Sequence, residues 1–530
     1  HNLAMENVNF APYIDSLDAL VRKACPHLEG NLDEEQIELY DLAFVQAELL
    51  AARTLISQTE QCQQLVPVCQ YFCANAIVTI TQKFAVRPQT FGLTPAELPS
   101  LEALQDFLAP QAIAALGQQY LEQGLVDDRL DDEKRIIRDT FKEFADDVVK
   151  PLAEEVHRKD LLVPAEILEP LKEMGVFGLS VPERFGGLKP DATEDSMGMV
   201  IVTEELSRGS LGAAGSLITR PEIMARALLE GGTDAQQARW LPQIASGKTL
   251  CAVSVTEPNT GSDVASVALK ATRAEGGWHL DGGKTWCTYA GAAGALLVLA
   301  RTNADAKPAH KGLSLFVVEK PSYDGHDFEY EQSEGGKMTG RAIPTLGYRG
   351  MHSFEMSYDN FFVPDDCLIG EAAGEGKGFY FTMRGFMGGR LQTAARACGL
   401  MRAAFEESVS YSQDRMVFGR SVASYPLSLA KLARMGALIT ACKAFTTHVA
   451  GLMDQGLGQM EASLVKLFSC RAAEWVTREG VQLHGGMGYA EEVAVSRYFA
   501  DARVLSIFEG AEETLAIRVV GKSLVDQARN

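Results

Sequence analysis

At 530 residues the chain exceeds what one hydrophobic core organises, so three or four domains are expected. Apolar residues make up 46% and charged residues 22%, the balance of a globular protein rather than a disordered one. The net charge of −21, from 49 basic and 70 acidic side chains, repels phosphate backbones and anionic lipid. Nucleic acid and membrane are therefore disfavoured as partners, and an anionic ligand must be met by local cations or backbone N–H donors.

No run approaches the roughly 20 apolar residues a membrane helix needs. The opening, HNLAMENVNF, lacks the basic and apolar parts of a secretory signal. Ten cysteines without a CxxC pair suit a reducing, cytoplasmic setting. Cys62, Cys69 and Cys73 are spaced to share one helix face and are expected as buried thiols. With no His or carboxylate partner at ligand spacing, no metal is expected.

In chain order, Leu17 to about Leu125 is helical, and YDLAFVQAELLAARTLI places its apolar residues three and four apart on one face. RPQTFGLTPAELP interrupts it, with Thr94 as N-cap and an acidic first turn. This stretch carries nothing catalytic and reads as an appended domain, with VDDRLDDEK (Val126 to Lys134) as its hinge. A second helical segment follows. The period then shortens: LCAVSVTEP, WHLDGGKTWCTYA, GALLVLART, GLSLFVVEK and HSFEMSYDNFFVP are short and rich in β-branched and aromatic residues. Too few helices separate them for a parallel sheet, which predicts an antiparallel barrel or sandwich. Beyond Gly378 helical periodicity holds nearly to the end, at bundle length. The expected fold class is mixed but mainly α. Its divisions are an N-terminal helical extension (1–128), a helical domain (129–247), a β domain (248–368) and a four-helix bundle (369–530).

There is no P-loop, HExxH or GxSxG. GEGKGF (Gly374 to Phe379) lacks the spacing of a dinucleotide fingerprint and is expected as a mobile glycine segment before a helix. Three segments are more informative. In VTEPNTGSDVAS, Thr256 and Ser262 offer hydroxyls, and Gly261 lets backbone N–H groups approach an oxygen-rich ligand. In GGKTWCTYAG, Trp286 and Thr288 stand two apart on a strand and so share a face, where an indole could cover a flat ring. The closing run ends in FEG, with Glu509 directly after apolar residues. A carboxylate in an apolar wall is raised above its usual range and suits a general base near neutral pH. Each segment alone is also compatible with an ordinary turn, core tryptophan or solvated helix end.

Together and in this order they resemble the acyl-CoA dehydrogenase family. TEPNTGSD resembles its first signature, KTWCT its flavin-covering strand, RMVFGR (Arg415 to Arg420) its dimer segment, and QLHGGMGY with IFEG its C-terminal signature. The resemblance runs from about Leu130 to Val525. It implies a helical domain, a middle β domain and a C-terminal four-helix bundle, with FAD as cofactor. Carried over, Val255 and Thr256 meet the flavin ring, Ser262 the phosphate region, Trp286 one ring face, and Thr288 the ring edge. Arg415, Phe418, Gln482 and Gly486 are implied to meet the adenine half of FAD across a homodimer or tetramer. Val417 and Ala511 stand where the family often has Thr. Glu509 is implied to be the base that removes the α-proton of a CoA thioester, while its backbone N–H holds the carbonyl. Some relatives carry the base just before a bundle arginine, but here Gly389 precedes Arg390. Electron-transferring flavoprotein is the implied acceptor.

The helices ahead of the family segment, with YDLAFVQAELLAAR and LGYRGMHSFEM, resemble the branch that oxidises (2S)-methylsuccinyl-CoA to mesaconyl-CoA in the ethylmalonyl-CoA pathway. A second carboxylate on the substrate requires a pocket cation, preferably a bidentate arginine. Arg220, Arg390 and Arg349 are the candidates, with Ser262 and Gly510 also expected beside the substrate. The alternatives are a short- or branched-chain monocarboxylic acyl-CoA dehydrogenase, an oxidase, and a DNA-associated flavoprotein relative, which the net charge disfavours.

Overall fold

The computed structural model describes residues 8–127 and 129–530. They form two compact units, one built from the residues up to Arg135 together with Thr393–Asn530, the other from Ile136–Gln392. The opening residues lie mostly outside the described part, and of the expected hinge Val126–Lys134, Asp128 does too.

In the first unit, α1 (Ala11–Ala24), α2 (Gln36–Thr59), α3 (Val66–Val86) and α4 (Pro110–Gln123) share a core with α12 (Pro426–Asp454) and α13 (Gln459–His484). Helix α2 is dense in Leu, Ala and Glu, all strong helix formers. Its buried residues, Leu39 to Leu55, run round the helix instead of along the single face expected, because α1, α3, α12 and α13 cover it from several sides. Helix α4 meets α12 with almost no gap: a Cβ on Gly117 would sit 2.1 Å from the Leu429 carbonyl, and one on Gly436 2.4 Å from the Tyr120 ring. The Tyr120 hydroxyl then hydrogen-bonds Thr440 at 3.2 Å. At the C-terminus, α14 (Ala494–Ala502) and α15 (Lys522–Arg529) complete the unit. Arg529 donates to the Leu28 carbonyl at 3.2 Å, and Tyr40 and Arg471 both bond the Glu512 carboxylate.

Two expectations about this unit are corrected. Gln63–Val86 is one helix long and apolar enough to cross a membrane by length and composition. Most of that stretch is buried in the protein, and Phe72, Ile77, Ile80 and Phe84 lie in the core. Cys69 and Cys73 do share its face, with sulfurs 3.8 Å apart, but Cys62 lies before the helix. Among the described residues all ten cysteines are buried and none is in a disulfide. At Thr94 the capping pattern is present, Glu97 accepting from the Thr94 N–H at 2.8 Å, yet it closes only a single 3₁₀ turn.

The second unit begins with α5 (Asp132–Phe144), which starts just before it, and continues through α6 (Lys150–Arg158), α7 (Ala165–Glu173), α8 (Ser196–Gly209), α9 (Thr219–Gly231) and α10 (Asp234–Ala245). Eight strands follow: β1 (Cys251–Ser254), β2 (Lys270–Ala274), β3 (Gly277–Thr288), β4 (Ala295–Arg301), β5 (Leu313–Glu319), β6 (Asp327–Glu331), β7 (Lys337–Ala342) and β8 (Ser353–Pro364). Their order is β1-β4-β2-β3-β8-β7-β6, with β5 on β4. Pairing is antiparallel except where β1 and β2 meet β4, so the expected antiparallel sheet is mixed at one edge. Strands β4 and β5 are buried nearly throughout, as their unbroken apolar runs require, whereas β8 alternates between buried and exposed. Strands β2, β6 and β7 are polar and carry no apolar run.

Helix α11 (Gly378–Asp414) leads out of this unit. The glycines before it are packing residues, which corrects the expectation of mobility. A Cβ on Gly376 would stand 2.6 Å from the Lys311 carbonyl, and one on Gly378 2.4 Å from the Ser314 backbone.

Candidate active site

In the first unit, α14 ends in a 3₁₀ turn, Arg503–Ser506, and the chain then passes through Phe508, Glu509 and Gly510. Glu509 has φ +55° and Gly510 φ +96°. A left-handed conformation costs a non-glycine residue on the order of 1 kcal/mol and persists only where the surroundings enforce it. Here two buried cations do so. Lys466, on α13, donates from Nζ to the Phe508 carbonyl at 2.5 Å and also to the Gly510 carbonyl. Arg396, fully buried on α11, lies over the Phe508 ring at 4.5 Å with Nη2 3.8 Å from a Glu509 oxygen. The Glu509 side chain is 7% exposed. Its surroundings are thus not the apolar wall expected from Val504, Leu505, Ile507 and Phe508. Ile507 faces solvent, and a guanidinium sits beside the carboxylate. Neither Arg396 nor Lys466 carried a sequence signal, since each is one of several cations along a long helix.

In the second unit a buried ion pair joins the two central motifs. Lys284 Nζ donates to the Val255 carbonyl at 2.8 Å and to Glu257 Oε1 at 2.9 Å. Glu257 also accepts from the Ala268 and Leu269 N–H groups, both at 2.7 Å. Burial pushes the Lys284 ammonium below its usual range, against the pull of Glu257. The Thr285 N–H donates to the Thr256 carbonyl at 2.8 Å, fixing VTEP against KTWCT. Val255 itself is buried in the β-domain core, Thr256 is half-buried and Ser262 is exposed. Trp286 and Thr288 do not share a face as simple alternation predicts. A register shift between Lys284 and Cys287, with Trp286 at φ +56°, turns the indole outward to 55% exposure, while Thr288 is buried and bonded to Ser353 at 2.9 Å. A groove of about 930 Å³ opens beside the indole, lined among others by Pro258, Gly283, Thr339 and Ser357.

Arg415, Phe418, Gln482 and Gly486 are all exposed in the first unit. The stacked rings of Tyr411 and His484, 4.3 Å apart, hold the end of α11 against the end of α13 and bring the segments bearing these residues to one end. Phe418, at φ +50°, is 95% exposed, and Tyr489, which follows Gly486 in HGGMGY, is 90% exposed.

Of the three candidate arginines, Arg220 is buried at the start of α9 and donates to the Tyr348 hydroxyl at 3.1 Å. Helix α9 crosses the first turns of α11 closely: a Cβ on Gly385 would lie 3.0 Å from Ile223, and one on Gly388 2.6 Å from Glu222. This antiparallel pairing places Arg220 and half-buried Arg390 at the same end of the crossing. Arg349 is committed elsewhere. It donates to the His157 and Thr345 carbonyls at 2.7 and 3.2 Å and lies 3.7 Å from Asp160. The fold also gathers Asp160, His326 and His352, far apart in sequence, with one ligand atom of each within 4.8 Å of the others. Both histidines donate to Asp160, and the Arg349 guanidinium beside it opposes a second cation, so this is a hydrogen-bonded polar cluster.

The sequence matches three family models: acyl-CoA dehydrogenase N-terminal domain over residues 131–248, middle domain over 252–361 and C-terminal domain over 376–525. The chain belongs to the acyl-CoA dehydrogenase family. It is 43% identical over 399 residues to a (2S)-methylsuccinyl-CoA dehydrogenase of Cereibacter sphaeroides, covering 75% of this chain and 70% of that one. An acyl-CoA dehydrogenase of Bacillus subtilis is 32% identical, covering 72% and 95%. Among solved structures, butyryl-CoA dehydrogenase of Megasphaera elsdenii superposes with a TM-score of 0.68 at 28% identity, covering 75% of this chain and all of that one. As a member, this acyl-CoA dehydrogenase is an FAD-dependent oxidoreductase acting on acyl-CoA thioesters. Its residues fit the cofactor: a large indole is held outward by a positive φ beside a groove of ring-system size, and the same strand ends in a Thr288–Ser353 hydroxyl pair.

Proposed function

We propose that the chain oxidises a short branched dicarboxylyl-CoA, (2S)-methylsuccinyl-CoA to mesaconyl-CoA, with Glu509 as the base. The observation that carries the substrate reading is Arg220, a buried guanidinium bonded to a tyrosine hydroxyl and placed with Arg390 at one end of the α9–α11 crossing. Such a pair suits a distal carboxylate, whose burial without cations costs several kcal/mol. The identity to a methylsuccinyl-CoA dehydrogenase supports the same reading.

In this mechanism the Glu509 carboxylate removes the α-proton, and the Glu509 N–H donates to the thioester oxygen as negative charge develops there. FAD, when bound, would supply the two-electron oxidant that accepts the β-hydrogen as hydride. Trp286 would cover the flavin ring, and Thr256 and Thr288 would offer hydroxyls at its edge. Ser262 would serve the phosphate region of the cofactor and the substrate, and Gly510 the substrate, as the family resemblance implies. Arg415, Phe418, Gln482 and Gly486 would hold the adenine half across a homodimer. The exposure of Phe418 and Tyr489 supports an assembled partner there. Electron-transferring flavoprotein is the acceptor.

The test is dye-linked turnover of FAD-loaded enzyme on (2S)-methylsuccinyl-, butyryl-, isobutyryl- and glutaryl-CoA, with wild type and Arg220→Met. The expected result is a strong preference for methylsuccinyl-CoA, with the variant losing about 10²-fold or more on it and little on butyryl-CoA. Equal losses on both substrates, or preference for a monocarboxylic thioester, would refute the dicarboxylate site.

A further inference from the structure

We infer that Lys466 is a positioning residue that aims and polarises the N–H of Glu509, the donor to the thioester oxygen. This rests on the reading of Glu509 as base and carbonyl donor. Lys466 is 1% exposed, so its charge must be satisfied inside the protein. Its Nζ donates to the carbonyls on either side of Glu509, those of Phe508 and Gly510. The Phe508–Glu509 peptide is trans, so its carbonyl and its N–H point in opposite directions. An ammonium bound to the Phe508 oxygen therefore fixes the direction of the Glu509 N–H. It also draws electron density from that peptide, making the N–H a stronger donor. The second bond, to Gly510, holds the following peptide, so both bonds together fix the Glu509 backbone at φ +55° and the path of its side chain.

A buried lysine that merely satisfied two loop carbonyls would matter for stability alone. The inference requires more, namely that the charge reaches the reacting thioester. Lys466→Met removes charge and donors at similar length, Lys466→Gln keeps a donor without the charge, and Lys466→Arg keeps both. Two readouts are taken on holoenzymes. One is kcat and KM on the preferred thioester. The other is the pH midpoint for α-deprotonation of 3-thiabutanoyl-CoA, followed by the long-wavelength absorption of its enolate against the oxidised flavin. Sulfur in place of the β-carbon leaves this probe no β-hydrogen to lose.

The Met and Gln variants should lower kcat about 10- to 100-fold with KM within about threefold, and raise the midpoint by about one to two pH units. The Arg variant should restore most of both. If either neutral variant keeps kcat within twofold and an unshifted midpoint, or if stability falls while both readouts hold, Lys466 is only structural. If Glu509→Gln still deprotonates the probe, the reading of the base fails instead, a separate outcome.

Discussion

Lys284→Met tests whether the buried pair Lys284–Glu257 holds the two central motifs in register. The ammonium side chain is fully buried and the carboxylate nearly so. Methionine fills the aliphatic volume, so the change deletes a charge and its donors without opening a large void. It strands the Glu257 carboxylate and deprives the Val255 carbonyl of its donor. Breaking a buried pair from one side costs about 3–5 kcal/mol. The Ala268 and Leu269 amides still hold Glu257, which places the loss near the lower end, about 3 kcal/mol. For a unit of this size that corresponds to a fall of roughly 6–12 °C in Tm. The assay is thermal unfolding of the holoenzyme, followed by tryptophan fluorescence and FAD release. Adding Glu257→Gln removes the stranded charge while keeping an amide oxygen for one N–H, and should recover at least half the loss. A single variant within 2 °C of wild type, or a double variant no better than the single, would refute the reasoning.

Two further outcomes follow from local geometry. Gly510→Ala puts a Cβ 2.9 Å from Leu515 at φ +96°, a strain of about 1–3 kcal/mol, and should lower kcat more than FAD affinity; unchanged turnover would show that the loop tolerates displacement. Lys320 is lowered to about 7 by burial, although the Gly291 carbonyl at 2.9 Å and the Phe328 ring at 4.4 Å favour its charged form. Because the folded value lies below the unfolded one, near 10.4, the unfolded chain binds the extra proton between the two. Wild type should therefore gain stability over Lys320→Met as pH rises from about 7 toward 10, by at most about 1.4 kcal/mol per unit. Urea denaturation of both proteins at pH 7 and pH 9 measures the gap; a constant gap, or one favouring the Met variant at higher pH, would refute the shift.

The sequence carried what depends on neighbours along the chain. Runs such as GALLVLART and GLSLFVVEK can be satisfied only as covered strands, and the long Ala- and Leu-rich segments only as helices. The ordered signatures were enough for the family, and with it the cofactor. What sequence periodicity could not show was any relation between residues far apart. Trp286 reaches solvent because a bulge against β8 breaks the period of two, and that register exists only once β3 and β8 pair. The surroundings of Glu509 are set by Arg396 and Lys466, from helices remote in sequence, so a carboxylate that looked apolar from its neighbours gains a cation on folding. Likewise GEGKGF reads as a loop by composition, yet its glycines are needed because the β5 segment passes too close for a Cβ. Local pattern determines which elements form. Which charges and backbones meet is decided by packing, because those contacts arise only when distant segments share one core.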